Sequence, residues 1–523
     1  MTDLVDVLVV GAGPTGLALA AQLAAFGTRF RIVDRQLDRV HESRALAVQP
    51  RTLEVLACLG VADAMVERGN PTMRLEMHSG ARSIEAPLFD IGLDDTAYPF
   101  LLFLSQSETE AILGEHLGRN DVDVERGVEL TALRQAPGHV TCTLQDRDGR
   151  TDDVRARYVV GCDGAHSSVR DLSRIGFVGG AYPQTFVLAD LAADGLDPAA
   201  VHIHLSGAGM LFFFPLGNPA PWRLLGMQPA DDDQSGSRGP DLSQLQALAD
   251  TYTAGSVRLH EPVWSTFFRL HHRHAASYRS GRVLLAGDAA HIHSPAGAQG
   301  MNTGIQDAGN LAWKLALVTR GDADPRLLDT YQSERQPVGR YVLRFTDRAF
   351  TIATSTRPLV RFLRTRIAPH LIGVALGFTR GRALAFRTLS QLTINYRDSP
   401  AVQEGEPRLR RGPRPGDRLP DAPVTVDDEA TTLHRVVATP GFHLLLAGPA
   451  DSWPADARGG TRHGLVHVHR IVDTEEQARR RLGLTPGRAA HYLVRPDGHI
   501  AYRAAGTDLD GLNVYLDRWL SSR

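Results

Sequence analysis

Val5-Asp6-Val7-Leu8-Val9-Val10-Gly11-Ala12-Gly13-Pro14-Thr15-Gly16 decides the fold: a short apolar run followed by three glycines at GxGxxG spacing. The apolar run predicts a buried strand, and the alanine- and leucine-rich segment behind it predicts a helix through Ala25, with Gly27 placed to end it. Gly11 permits the tight turn, and Gly13 lets the backbone approach a pyrophosphate. Gly16 allows close packing of the helix, which opens with Pro14 and Thr15 and offers its N–H groups to the anion. A second strand, Phe30 to Val33, ends at Asp34, 18 residues beyond Gly16. A carboxylate there accepts from a ribose hydroxyl and favours an unphosphorylated ribose, as in FAD or NAD, over a 2′-phosphate. Arg35 either packs on the adenine or stays solvated.

The surrounding chain has 523 residues, 43% of them hydrophobic, enough for a large core divided among two or three domains. Its formal charge is -2, and Lys314 is the only lysine. Bulk charge therefore offers no general attraction to nucleic acid or to an anionic membrane, and a small-molecule partner fits better. The three cysteines, Cys58, Cys142 and Cys162, form no CxxC pair, which argues against a disulfide scaffold and a zinc site; the cytoplasm is the expected compartment. No secretory signal is read at the start. The apolar stretch Ile367 to Phe378 is broken by Pro369, His370 and Gly373, too short to span a bilayer, and is expected to be a buried helix.

Along the chain the texture changes from α/β at 1–180 to β-rich at 181–270, with strands expected at Thr185–Leu191, Val201–Leu205, Met210–Leu216 and Trp222–Met227. The α/β pattern resumes over 271–400, so the first domain is expected to be discontinuous. A Pro-, Arg- and Gly-rich stretch, Glu404 to Pro423, reads as a linker into a C-terminal module within 401–523.

Two further strand-turn-helix units stand out. In the first, Tyr158-Val159-Val160-Gly161 leads into Cys162-Asp163-Gly164-Ala165-His166-Ser167-Ser168; in the second, Arg282 to Gly287 leads into Asp288-Ala289-Ala290-His291-Ile292-His293-Ser294-Pro295-Ala296-Gly297-Ala298-Gln299-Gly300-Met301-Asn302. Ile305, Ala308, Ala312 and Leu315 recur at helical spacing after it, placing the glycine-rich turn at a helix N-terminus. His291 and His293 alternate in the turn, but no third ligand follows in pattern, so no metal site is expected.

In order and separation, these three motifs resemble the GxGxxG, DG and GD motifs of the group A FAD-dependent aromatic hydroxylases, the para-hydroxybenzoate and phenol hydroxylase family, over roughly residues 1–400. Within that family the chain is most similar to actinobacterial hydroxylases of aromatic polyketides. The resemblance implies an α/β fold: a Rossmann-type FAD-binding domain, an inserted β-sheet substrate domain, and a thioredoxin-like C-terminal domain. With no cysteine beyond Cys162, that last domain is expected to be structural or to support a homo-oligomer. The implied cofactor is FAD, with NADPH or NADH as transient co-substrate, and dioxygen. By the same resemblance Asp288 holds the ribityl or pyrophosphate portion, Asp163 lies near it, and Arg44 and Gln106 contact the cofactor. Pro295 packs beside the isoalloxazine, and Gly297, Gly300, Met301 and Asn302 stabilise negative charge on reduced flavin. The implied reaction is hydroxylation of an electron-rich ring through a C4a-hydroperoxyflavin.

The inserted sheet is expected to supply the wall of an aromatic substrate pocket, with Phe213, Trp222 and Phe268 as its candidates, although a strand alternates faces and core packing is the better prior for each. A disulfide reductase lacks its cysteine pair, and a flavin-dependent halogenase lacks the WxWxIP motif. The alternatives that survive are a Baeyer–Villiger-type oxygenase or epoxidase on the same scaffold and a flavin-binding, metabolite-sequestering protein.

Overall fold

The computed structural model describes residues 4–38, 45–72, 74–79, 82–87, 93–206, 209–217, 220–228, 239–293, 297–354, 379–426, 429–453, 464–472 and 475–521. Ile367 to Phe378 lies outside them. Three large sheets carry the chain. In the first, strands Val283–Leu285, Thr151–Gly161, Leu4–Val10 and Phe30–Asp34 run parallel in that spatial order. Their inward residues, among them Val7, Leu8, Val9, Val159, Val160 and Leu284, are fully buried, as expected for a sheet covered on both faces. All three glycine-rich motifs, and Asp34, therefore leave the same carboxyl edge of adjacent strands, where open α/β sheets bind ligands.

The second sheet runs in the order His291–Ile292, Arg258–Ala275, Phe177–Asp194, Trp222–Met227, Gly209–Pro215, Ala200–Ser206, Arg74–Ser79 and Arg82–Pro87. It is wider than 181–270. Its outer hairpin, Arg74–Pro87, comes from the segment between the first two cofactor motifs, and its opposite edge comes from the GD loop itself. Neither contribution is readable locally, because edge pairing joins residues far apart in sequence.

The third sheet is mixed: Phe442–Gly448 pairs in parallel with Val466–Val472 and antiparallel with Ala490–Val494, which pairs with Ile500–Ala505. The module is not held at arm's length. Arg418, within the stretch expected to be a linker, is buried and reaches Glu54 at 2.8 Å and Asp95 at 2.5 Å. Arg495 binds both oxygens of Glu334, at 2.7 and 2.8 Å, and the same carboxylate accepts from Lys314 Nζ at 2.7 Å and Asn310 Nδ2 at 2.7 Å. Burial alone would raise the Glu334 carboxyl, but Arg495 and Lys314 outweigh it and hold it well below the usual carboxylate range. Among the described residues, no helix is long and apolar enough to cross a membrane.

A buried charge stripped of its partner is costly. Glu334→Ala, which leaves Arg495 and Lys314 facing an empty site, is expected to destabilise the fold by about 3–5 kcal/mol, measured by denaturant unfolding.

Acid should act on the same region. His499 and His443 are both held at about 4 by burial, so the unfolded chain takes up protons first as pH falls below about 6.5. Both therefore contribute stability at neutral pH that is lost between about pH 6.5 and 4, and Glu334, whose folded value is depressed, extends the loss to lower pH. A melting temperature that rises on acidification from pH 7 to 5 would contradict this.

Candidate active site

The first turn is built by close contact. Gly11 has φ +101°, and a Cβ there would lie 2.4 Å from the Cys162 carbonyl oxygen, on the neighbouring strand. A Cβ at Gly16 would lie 1.9 Å from the Gly11 carbonyl oxygen, whereas one at Gly13 would meet no atom within 4 Å. The first two glycines serve packing, and the third faces open space. Asp34 Oδ2 accepts from the Ala12 N–H at 2.6 Å and Oδ1 from Gln36 N–H at 2.8 Å, tying the end of the second strand to the turn.

A cavity of about 190 Å³ opens here, bringing together Gly11, Gly13, Asp34, Arg35, Gln106 and Asp163 from four separate segments. Arg126 also lines it, with Nη1 3.8 Å from Asp34 Oδ2. Local pattern did not reveal Arg126, which sits on a two-residue strand. Asp163 Oδ1 accepts from Ser167 Oγ at 2.5 Å and Oδ2 from Val169 N–H at 3.1 Å, in the first turn of the short helix Ser168–Leu172, which Ser167 caps. Burial raises its pKa despite these bonds. Gln106 Nε2 donates to Glu110 Oε1 at 2.9 Å on the helix Gln106–Arg119, which Ser105 caps.

Thr15 joins the first motif to the third. A Cβ at Gly287 would meet Thr15 Oγ1 at 2.5 Å, and one at Gly304 would meet it at 2.3 Å, so the threonine sits where only two glycines leave room. Asp288 follows in the 3-10 turn Gly287–Ala289 with its side chain exposed. Behind it Asp307, fully buried, accepts from Gly287 N–H at 3.1 Å, from His291 Nε2 at 2.6 Å and from Arg335 Nε at 2.6 Å. Burial would raise Asp307, but Arg335 and His291 hold it below its ordinary value. His293 Nε2 stands 2.8 Å from His291 Nδ1, and burial together with His291 keeps His293 well below the usual histidine range, hence neutral.

The helix Gly300–Arg320 begins after two left-handed residues, Gly297 (φ +78°) and Ala298 (φ +52°). Asn302 uses its side chain on the protein: Nδ2 donates to Ala47 O and Ala298 O, and Oδ1 accepts from Gln49 N–H, all at 2.8 Å. It fastens the loop rather than pointing a free amide at a ligand. Met301 packs against the core of the first sheet. Arg44 and Pro295 lie outside the described residues.

The residues present fit a bound dinucleotide. The two helices that the first and third motifs open, Pro14–Ala25 and Gly300–Arg320, start without a side-chain cap and without an acid in their first turn. The helix Leu242–Thr253, on the second sheet, differs in having a full capping box from Asp241 and Gln244. Uncapped N–H groups suit a pyrophosphate and an anionic ring edge.

On the second sheet, alternation assigns the aromatics. Phe213 and Trp222 are buried in the cluster under the helix Leu242–Thr253, with Leu245 and Leu248, so they belong to the core and not to a pocket. The opposite face carries Phe212 and Phe214, stacked at 5.6 Å and half-buried, with Phe268, Trp264 and Met227. Phe214 and Ala298 of the glycine loop both pack against the small core of Leu46, Ala47, Phe103, Val201 and Leu216. Arg223 lies on this face, buried, bidentate to Asp190 at 2.6 and 2.7 Å and donating to Ala45 O at 2.9 Å, while Trp264 Nε1 donates to the same aspartate at 2.8 Å. A separate cavity of about 540 Å³, between the helix Pro50–Ala57 and the C-terminal module, contains no residue of the three motifs. Cys58 borders it, its thiol pushed up by burial to about 11 and so unreactive.

Residues 4–346 match the FAD binding domain family, and residues 412–522 match the C-terminal family of aromatic-ring hydroxylases. The chain belongs to the FAD-dependent aromatic-ring hydroxylases. It is 37% identical to 6-methylpretetramide 4-monooxygenase of Streptomyces rimosus over 98% of this chain and 93% of that protein. Among solved structures it resembles anhydrotetracycline hydroxylase from Streptomyces rimosus (29% identity, TM-score 0.78, covering 99% of both chains). It also resembles aklavinone-11 hydroxylase in its ternary complex with FAD and aklavinone (27% identity, TM-score 0.76, 99% of both chains). This hydroxylase is thus a flavin-dependent aromatic monooxygenase with an α/β fold.

The glycines make separable predictions. Gly13→Ala should fold with an unchanged melting temperature yet lose FAD affinity by at least about tenfold, roughly 1.4 kcal/mol, because its methyl occupies the approach to the pyrophosphate. Gly16→Ala should lose both. Flavin absorbance after gel filtration, beside a thermal melt, reads the two effects; full flavin content in Gly13→Ala would remove the pyrophosphate assignment.

Proposed function

We propose that this hydroxylase uses NADPH or NADH and dioxygen to hydroxylate an aromatic polyketide of several fused rings. The observation that carries the reading is the half-buried aromatic face of Phe212, Phe214 and Phe268, whose Phe214 shares a small core with Ala298 of the glycine loop. A flat apolar wall of this width suits a planar polycycle better than a single small phenol. The names of the relatives above give 6-methylpretetramide, anhydrotetracycline and aklavinone as their substrates, which supports the reading.

When bound, FAD supplies the redox chemistry and the activation of oxygen. The chain's own residues do the rest. Gly11, Gly13 and Asp34 would hold the adenosine and pyrophosphate end, with Arg35 and Arg126 lining the same cavity, and Gln106, Asp163 and Asp288 would hold the rest of the cofactor. The first turn of Gly300–Arg320 turns its N–H groups to the ring edge where negative charge gathers on reduction. Asp307, through Gly287 and His291, keeps that loop from relaxing. Neutral His293, behind the loop, adds no positive charge there. Arg223, held by Asp190 and Ala45, fastens the substrate sheet to the segment leading out of residues 39–44, and the aromatic face excludes water from the reacting ring.

NADPH or NADH consumption stimulated by a fused-ring aromatic, with a product one oxygen heavier, is the expected result of a polyketide panel. Consumption without oxygenated product from any member would remove the hydroxylase reading for this class, and a ring-expanded lactone would favour the Baeyer–Villiger alternative. Phe212→Ala and Phe214→Ala should raise KM for that substrate with little change in melting temperature. Phe213→Ala, on the core face, should instead cost about 3–5 kcal/mol of stability.

A further inference from the structure

On the outer edge of the second sheet, Arg74–Ser79 pairs in parallel with Ala200–Ser206, placing Glu76 beside His202 and His78 beside His204. Three donor atoms converge there: His78 Nε2 is 3.2 Å from His202 Nδ1, which is 3.3 Å from Glu76 Oε2, and the Glu76 to His78 edge is 3.7 Å. His202 is buried, with Nε2 3.0 Å from the Asp197 carbonyl oxygen. A carbonyl only accepts, so Nε2 carries the hydrogen and Nδ1 presents a lone pair to the cluster. That is the tautomer of a metal-binding histidine, fixed by its outer hydrogen bond.

We propose that Glu76, His78 and His202 form a binding site for a divalent transition-metal ion of the zinc class. A tetrahedral ion with ligand distances of about 2.0–2.2 Å separates its ligand atoms by about 3.3–3.5 Å, and the three edges observed bracket that figure. The two nitrogens and one carboxylate suit zinc, cobalt or nickel rather than calcium or magnesium. His204 stacks on the His78 ring at 4.4 Å and is 5% exposed, and its Nε2 has no hydrogen-bond partner among the described residues; a water on the ion's fourth position would supply one.

The site is distinct from the flavin edge. His202 and His204 pack with Trp222 and Phe213 on one face of the sheet, while their neighbours Val201 and Ile203 join Ala298 on the other. The ion would therefore pin the hairpin Arg74–Pro87 to the sheet without entering the reaction.

The test uses tag-free FAD holoenzyme dialysed against chelator, then titrated with Zn²⁺ by calorimetry and with Co²⁺ by visible absorption. The expected result is one ion per chain, intense tetrahedral Co²⁺ bands, and an upward shift in melting temperature. Glu76→Gln and His78→Asn, each keeping full flavin content and the metal-free melting temperature, should bind at least about 100-fold more weakly. Absence of stoichiometric binding would overturn the site. So would unaltered binding in both variants, which would place the ion on other histidines such as His443 and His469.

Discussion

Asp307 is a carboxylate with no access to water, and the cofactor edge is organised around satisfying it. Low surrounding polarity makes its unpaired state expensive and its paired state strong, so its three partners are held tightly. One partner, Gly287 N–H, sets the start of the GD loop, and another, His291, begins the short strand that joins the second sheet. The third, Arg335, donates onward to Tyr396 Oη at 3.0 Å, and Tyr396 lies 4.2 Å, ring to ring, from His499 of the C-terminal module. A single buried charge thus links all three sheets at the GD loop.

The second sheet depends on strand periodicity. Successive side chains fall on opposite faces, so one run of three phenylalanines divides: Phe213 closes a core, while Phe212 and Phe214 lie on the other face, Phe214 on a cluster that Ala298 also packs against. The buried Asp190–Arg223 pair then fixes how that aromatic face sits above the first sheet. The C-terminal module is joined by buried charge as well, through Glu334, Arg495 and Asp497, which is why its connecting segment behaves as packed structure and not as a tether.

Much of the cofactor site was legible in sequence because its signals are local. The apolar run to Val10, the glycine spacing and the position of Asp34 each sit within one βαβ unit, and the structure brings Gly11, Gly13, Asp34, Arg35, Gln106 and Asp163 to one cavity. The aromatic wall was half legible. Pattern placed a strand at Met210–Leu216, found at Gly209–Pro215, but not which of its faces is covered by a helix, so the pocket candidates Phe213 and Trp222 lie instead in a core. Arg126 and Arg223 carried no signal, being single arginines in a chain rich in them; Arg170, which closes the DG strand-turn-helix unit, donates to Ala165 O and Ala289 O, joining the DG turn to the GD loop.

By itself, then, the sequence determined a dinucleotide-binding α/β protein with three strand-turn-helix motifs, because turn geometry, strand period and helix starts depend on residues within about one turn or one hairpin of each other. Only the tertiary structure decided which buried polar groups meet and which face of the second sheet is covered by a helix. Asp190 meets Arg223 across 33 residues, Glu334 meets Arg495 across 161, and Asn302 meets Ala47 across 255. Such pairs are selected by what the folded chain removes from water together, and that is a property of the packed layers, not of any segment read alone.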